Sequence, residues 1–151
     1  MGEFVKIAKV KDIPEGSLKG FKVDKEEIVL ANINGKFYAI RDVCTHEGGP
    51  LSEGKLEGKI ITCPWHKGKF DITNGEVVSP PPKVKVETYE VKVEGDDIYV
   101  KKGILDLVEV KTYITKKQAE AIEKLSGTDL VRATRYALME VYKKAFREEK
   151  A

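Results

Sequence analysis

The chain has 151 residues, with 27 Lys and Arg against 25 Asp and Glu, a net charge of +2, and 34% of its positions charged. So small an excess excludes a protein held to nucleic acid by bulk charge, and no apolar run approaches the length of a membrane span. Met-Gly-Glu-Phe is no signal peptide, so the expectation is a cytoplasmic chain without membrane attachment, large enough for one full domain and a smaller appendage.

Residues 4–10 alternate apolar and polar side chains, as a half-buried strand does. The charged stretch 24–27 reads as a turn and 28–33 as the next strand. Asn34-Gly35 then closes a tight hairpin into a strand over 36–40. Further strands are expected over 59–62 and 69–72. Asn74-Gly75 turns the chain into 76–78, and a last pair, 87–94 and 97–101, meets across Gly95-Asp96. Many short strands with such turns predict a mainly β, antiparallel sandwich or barrel, with the loops around 44–46 and 63–66 projecting from one end as hairpin tips.

Those two loops carry the chemistry. They read Cys44-Thr45-His46 and Cys63-Pro64-Trp65-His66, and they hold the only two cysteines and the only two histidines of the chain. Two thiolates and two imidazoles suit a borderline-soft metal, with zinc and iron–sulfur as the two candidates. Structural zinc usually takes its cysteines in one short motif and its histidines in another. Here each loop gives one of each, which suits two metals side by side, sulfur on one and nitrogen on the other. Burial of all four as ordinary core residues is disfavoured by the Gly and Pro around them, which form loops.

The stretch CTHEGGPLSEGKLEGKIITCPWHKGKFDITNGEVVSPPP resembles the Rieske ferredoxins, the small proteins that feed bacterial ring-hydroxylating oxygenases. The likeness covers roughly residues 3–101 and implies a Rieske [2Fe–2S] cluster in a domain spanning 1–103, with its own cluster-binding subdomain. It implies that Cys44 and Cys63 bind the inner iron, and His46 and His66 the outer iron that takes the electron. It implies partners too: a reductase as donor, an oxygenase or similar acceptor, and no catalysis by the chain itself. The high-potential branch of the family has two further cysteines and hydroxyl donors where this chain has Gly68 and Phe70, so a potential near the low end of the Rieske range, about −150 mV, is expected. Gly48, Gly49 and Gly68 would let backbone N–H groups approach the sulfurs. Residues 79–82, Ser-Pro-Pro-Pro, would form a lid, and Trp65 would pack. One departure stands out: Lys67 follows His66 where many members have Gly.

From about residue 104 the period changes from two to about 3.6. Residues 107–114 read as a strand. Thr115 can cap a helix over 116–125, Ser126-Gly127 breaks it, and Thr128 can cap a longer helix with Leu130, Ala133, Ala137, Leu138, Val141 and Ala145 as an apolar stripe. VEVKTYITKKQAEAIEKLSGTDLVRATRYALMEVYKK resembles the ribbon–helix–helix family. That likeness implies a homodimer built through 104–151. It also implies possible DNA contact through Glu109, Lys111 and Tyr113, with Thr128 and Asp129 at a phosphate. The tail holds ten Lys and Arg against eight Asp and Glu, the whole excess of the chain and still slight. Two functions follow: an electron-carrying ferredoxin dimerised by its tail, or a redox-responsive DNA-binding regulator.

Overall fold

Asn34 and Gly35 take left-handed backbone, with φ of 53° and 87°, as a two-residue hairpin turn requires. They join β3 (Glu26–Ile33) to β4 (Lys36–Arg41). The computed structural model describes residues 2–105, 107–109 and 111–150, excepting the side chains of 143 and 146–150. Its other strands are β1 (Glu3–Lys9), β2 (Leu18–Val23), β5 (Lys55–Glu57), β6 (Ile60–Thr62), β7 (Lys69–Asp71), β8 (Val77–Ser79), β9 (Thr88–Tyr89), β10 (Val91–Glu94) and β11 (Asp97–Lys102). Two helices follow, α1 (Lys116–Ser126) and α2 (Leu130–Lys150), and no described helix is long and apolar enough to cross a membrane.

The strands form three antiparallel sheets: an outer one in the order β1-β11-β10, a middle one β2-β3-β4-β9, and a small one β5-β6-β7-β8. β3 belongs to two cores at once because successive side chains point to opposite faces. Ile28 and Leu30 pack with Ala8, Phe37, Ile98 and Val100 towards the outer sheet. Val29 and Ala31 pack with Leu51, Ile61, Phe70 and Ile72 towards the small sheet, and Cys44 and Cys63 belong to this second cluster. The small sheet is thus a separate layer carrying the second Cys/His loop, between β6 and β7. Only that loop is a hairpin tip. The first crosses from β4 in the middle sheet to β5 in the small one.

Several expectations need correction. The strand expected over 87–94 is two: Tyr89 pairs with Ala39 in the middle sheet, and Val91 with Val100 in the outer one, so the chain changes sheets at Glu90. The described residues of 107–114 form no strand; Val110 lies outside the described residues. A lone ribbon strand has no edge to pair with inside one chain, and Val108 and Tyr113 stand exposed. α1 begins as expected: Thr115 Oγ1 accepts from Gln118 N at 3.1 Å, and Thr115 N donates back to Gln118 Oε1 at 2.9 Å. α2 is capped by Asp129, not Thr128, since Asp129 Oδ1 accepts from Arg132 N at 2.9 Å. Of its expected stripe, Leu130 and Ala133 are half-buried, while Ala137, Leu138, Val141 and Ala145 are exposed.

Candidate metal centre

Both Cys/His loops are closed by the same backbone bond. Cys44 N donates to Gly49 O, and Cys63 N donates to Gly68 O, each at 2.8 Å and each five residues on. Gly48 N also returns to Cys44 O at 2.8 Å. Asp42 brackets the first loop from its base, its two carboxylate oxygens accepting from Ser52 N and Ser52 Oγ at 2.6 and 2.5 Å. Burial raises the Asp42 pKa despite these bonds. In the second loop His66 and Lys67 take left-handed backbone, with φ of 67° and 62°, a region where glycine alone is at ease. The departure noted at Lys67 therefore falls on a conformation that favours glycine.

The two loops bring like residues together. Cys44 and Cys63 are both buried in one core cluster, where their thiols act on each other. Interaction with the Cys63 side chain pulls the Cys44 thiol down to about 7; burial opposes the shift, and the N–H groups of His46 and Glu47 assist it. The same interaction, with burial, pushes Cys63 up. His46 and His66 stand with ring centres 5.0 Å apart and planes nearly perpendicular at 80°, close enough for one metal to hold both. Glu47, which the sequence reading passed over, is buried with a carboxylate oxygen 3.5 Å from His46 Nε2. One ligand atom from each of His46, Glu47 and His66 lies within 4.8 Å of the others; only Glu47's adjacency to His46 could have signalled it.

Glycines and prolines shape the surroundings. A Cβ on Gly49 would lie 2.9 Å from Trp65 Cδ2 and 3.0 Å from Cys63 Sγ, so only glycine lets the first loop close against the second. Trp65 packs, partly buried, on the core cluster that includes both cysteines. The proline segment lies over the second loop: a Cβ on Gly68 would meet Pro82 Cδ at 2.4 Å. Just beyond, Val84 O accepts from Thr45 Oγ1 at 2.6 Å. The segment therefore touches both loops, as a lid would. Paired thiols and paired imidazoles, on loops whose glycines leave room only for close approach, fit a binuclear iron–sulfur group with sulfur donors at one end and nitrogen donors at the other.

Residues 3–90 match the model of the Rieske [2Fe–2S] domain. The chain belongs to the Rieske family. The ferredoxin component of naphthalene 1,2-dioxygenase/salicylate 5-hydroxylase systems from Ralstonia is 39% identical over 98 residues, which is 65% of this chain and 94% of the relative. The biphenyl dioxygenase ferredoxin subunit of Pseudomonas sp. strain KKS102 is 37% identical, covering 64% of this chain and 90% of its own. Among solved structures, the ferredoxin of carbazole 1,9a-dioxygenase from Nocardioides aromaticivorans superposes with a TM-score of 0.62 at 30% identity, over 64% of this chain and 95% of that one. This Rieske chain is accordingly an electron-transfer ferredoxin with a [2Fe–2S] cofactor and not a catalyst. Its helical tail lies outside the Rieske match.

Proposed function

We propose that Cys44 and Cys63 hold one iron of the cluster and His46 and His66 the other, and that the chain passes single electrons from a reductase to an oxygenase or similar acceptor. The observation that carries this reading is the pairing of like donors: sulfur beside sulfur in the core, ring beside ring towards solvent. When bound, the cluster supplies a reversible one-electron couple. The chain's own residues keep the cysteine end dry through Leu51, Ile61 and Phe70 and leave His66 exposed for a partner. Similar proteins are ferredoxin components of dioxygenase systems, and one solved structure is a complex of oxygenase with ferredoxin in carbazole 1,9a-dioxygenase. Iron, acid-labile sulfide and the EPR spectrum of the reduced protein test the ligand set. His66→Ala and Cys63→Ser should each lose the cluster, and retention of iron and sulfide in either would overturn it. Reduction of an added dioxygenase component by the reduced protein tests the carrier role.

We also propose that residues 1–103 and 104–151 are separate units and that the tail pairs two copies of the chain. The outward side of α2, with Val131, Leu138 and Val141 exposed, together with the described residues of 107–114, which join no strand, supports a second copy as the covering surface. DNA is the less favoured occupant. Asp129 places its carboxylate on the α2 N-terminus, where a phosphate would bind, and Lys111 is paired with Glu109 at 3.6 Å. Sedimentation of the full chain beside residues 1–103 checks the pairing. A monomeric full chain at micromolar concentration would count against it, and salt-sensitive DNA binding would revive the regulator.

A further inference from the structure

The tail does not hang free of the Rieske domain. Arg135 pairs with Glu27 on β3, and Arg132 pairs with Glu53, just past the first ligand loop. The methylenes of Arg135 lie across Gly48, where an added Cβ would fall 2.7 Å from Cδ and 2.8 Å from Cγ of the arginine. Gly48 is buried, two residues beyond His46. The second ligand loop is treated differently. His66 opens on a groove of about 910 Å³, with Trp65 and Glu53 on one wall and Leu125, Ala133 and Tyr136 of the two helices on the other. The His46 side chain is only 21% exposed, whereas His66 is an exposed residue.

We infer that Arg132 and Arg135 clasp the C-terminal helices over the first ligand loop, leaving His66, in the groove between tail and domain, as the edge by which electrons pass to a protein partner. This rests on reading His46 and His66 as cluster ligands. The clasp is built from two ion pairs and one packed stem. An exposed pair alone holds little, but the arginine stem over Gly48 adds apolar contact that a lysine or a shorter chain would not supply. α2 can hold this contact and still offer a side to a second copy, because Val141 lies about two and a half turns beyond Arg132 and so faces the other way. Arg132 and Arg135 are positioning residues: by holding the tail over Gly48 they decide which histidine a partner meets.

The test uses the cluster-loaded full chain, the variant Arg132→Glu with Arg135→Glu, and a charge swap that adds Glu27→Arg and Glu53→Arg. Hydrogen exchange read by mass spectrometry should run about fivefold faster over residues 44–49 in the reversed variant, with residues 97–102 of β11 unchanged. Oxidation of the reduced protein by cytochrome c, a protein-sized acceptor, should rise about twofold as a second approach opens. Oxidation by ferricyanide, small enough to reach either edge, should not change. The swap should restore both wild-type values, and Arg132→Gln with Arg135→Gln should move them the same way if the reversed protein does not accumulate. Exchange over 44–49 that is equal in all variants overturns the clasp, as does a rise shared with 97–102 or a swap that restores nothing. Iron and sulfide retained in His66→Ala would instead sink the ligand reading and leave the exchange result standing.

Discussion

Replacing Gly68 by Ala tests whether the proline segment is a lid on the second ligand loop. The new Cβ would sit 2.4 Å from Pro82 Cδ, 2.8 Å from Pro82 Cγ and 3.5 Å from Pro81 Cδ. Carbons rest about 3.5–4.0 Å apart, so the Pro82 ring must retreat by roughly an ångström. It cannot rotate away, because the ring is bonded to its own backbone nitrogen. Overpacking of this kind costs about 1–3 kcal/mol. Gly68 is not in the left-handed region, so backbone strain adds nothing to this cost. That cost, set against the closed lid, corresponds to about a 5–150-fold change in an opening equilibrium. Loss of visible absorbance at a fixed temperature below melting reads that opening, and Gly68→Ala should bleach faster by about that factor. Pro82→Ala removes the ring carbons that collide, so Gly68→Ala made in a Pro82→Ala background should add little further bleaching. Additive effects of the two substitutions, or a Gly68→Ala protein that bleaches at the wild-type rate, would refute the lid.

Lys67→Gly should leave unfolding stability within about 0.5 kcal/mol of wild type, because relief of left-handed strain offsets the added freedom of glycine, whereas Lys67→Val should be clearly destabilising in the same denaturant titration. Thr45→Val removes the bond to Val84 O and should speed bleaching about fivefold, the size of one neutral hydrogen bond. Asp71→Ala breaks bonds from Thr73 N, Thr73 Oγ1 and Lys59 Nζ and should cost about 1–3 kcal/mol in urea unfolding. Burial would raise the Asp71 pKa, but the Thr73 and Lys59 contacts outweigh it and hold the carboxyl below its ordinary 3.8. Its contribution is thus complete above that value and lost as pH falls through the lowered one, so the Asp71→Ala penalty should be equal at pH values of about 7 and about 5; a penalty already shrinking at the lower pH would contradict this. Gly54→Ala would place a Cβ 1.8 Å from Thr62 O, a backbone atom that cannot turn aside, and should yield insoluble protein.

What could be read in the sequence was what depends on neighbours along the chain. Asn34-Gly35 and Asn74-Gly75 marked their turns, the four Cys and His positions marked the loops, and the proline run marked the segment lying on Gly68. The family expected from those loops is the one the chain belongs to. What could not be read depends on distant partners. β2 was missed because Gly20-Phe21 interrupts its alternation, and β5 because three residues between Gly54 and Gly58 carry no period. The change of sheet at Glu90 leaves no local mark, since both halves alternate alike. Residues 107–114 have the alternation of a strand but no edge within the chain to receive it. The contacts of Arg132 and Arg135 bridge 79 and 108 residues of sequence, beyond the reach of any local pattern.

β3 has a consequence for how this ferredoxin fails. Its alternate side chains are the common wall of both cores, so neither the terminal strands nor the cluster-bearing layer can come apart without stripping one side of the same ribbon. Heating should therefore produce a single cooperative event in which the outer sheet and the cluster-bearing layer unfold together. Beyond local movement of the proline segment, a carrier built this way has no form with one core kept and the other lost.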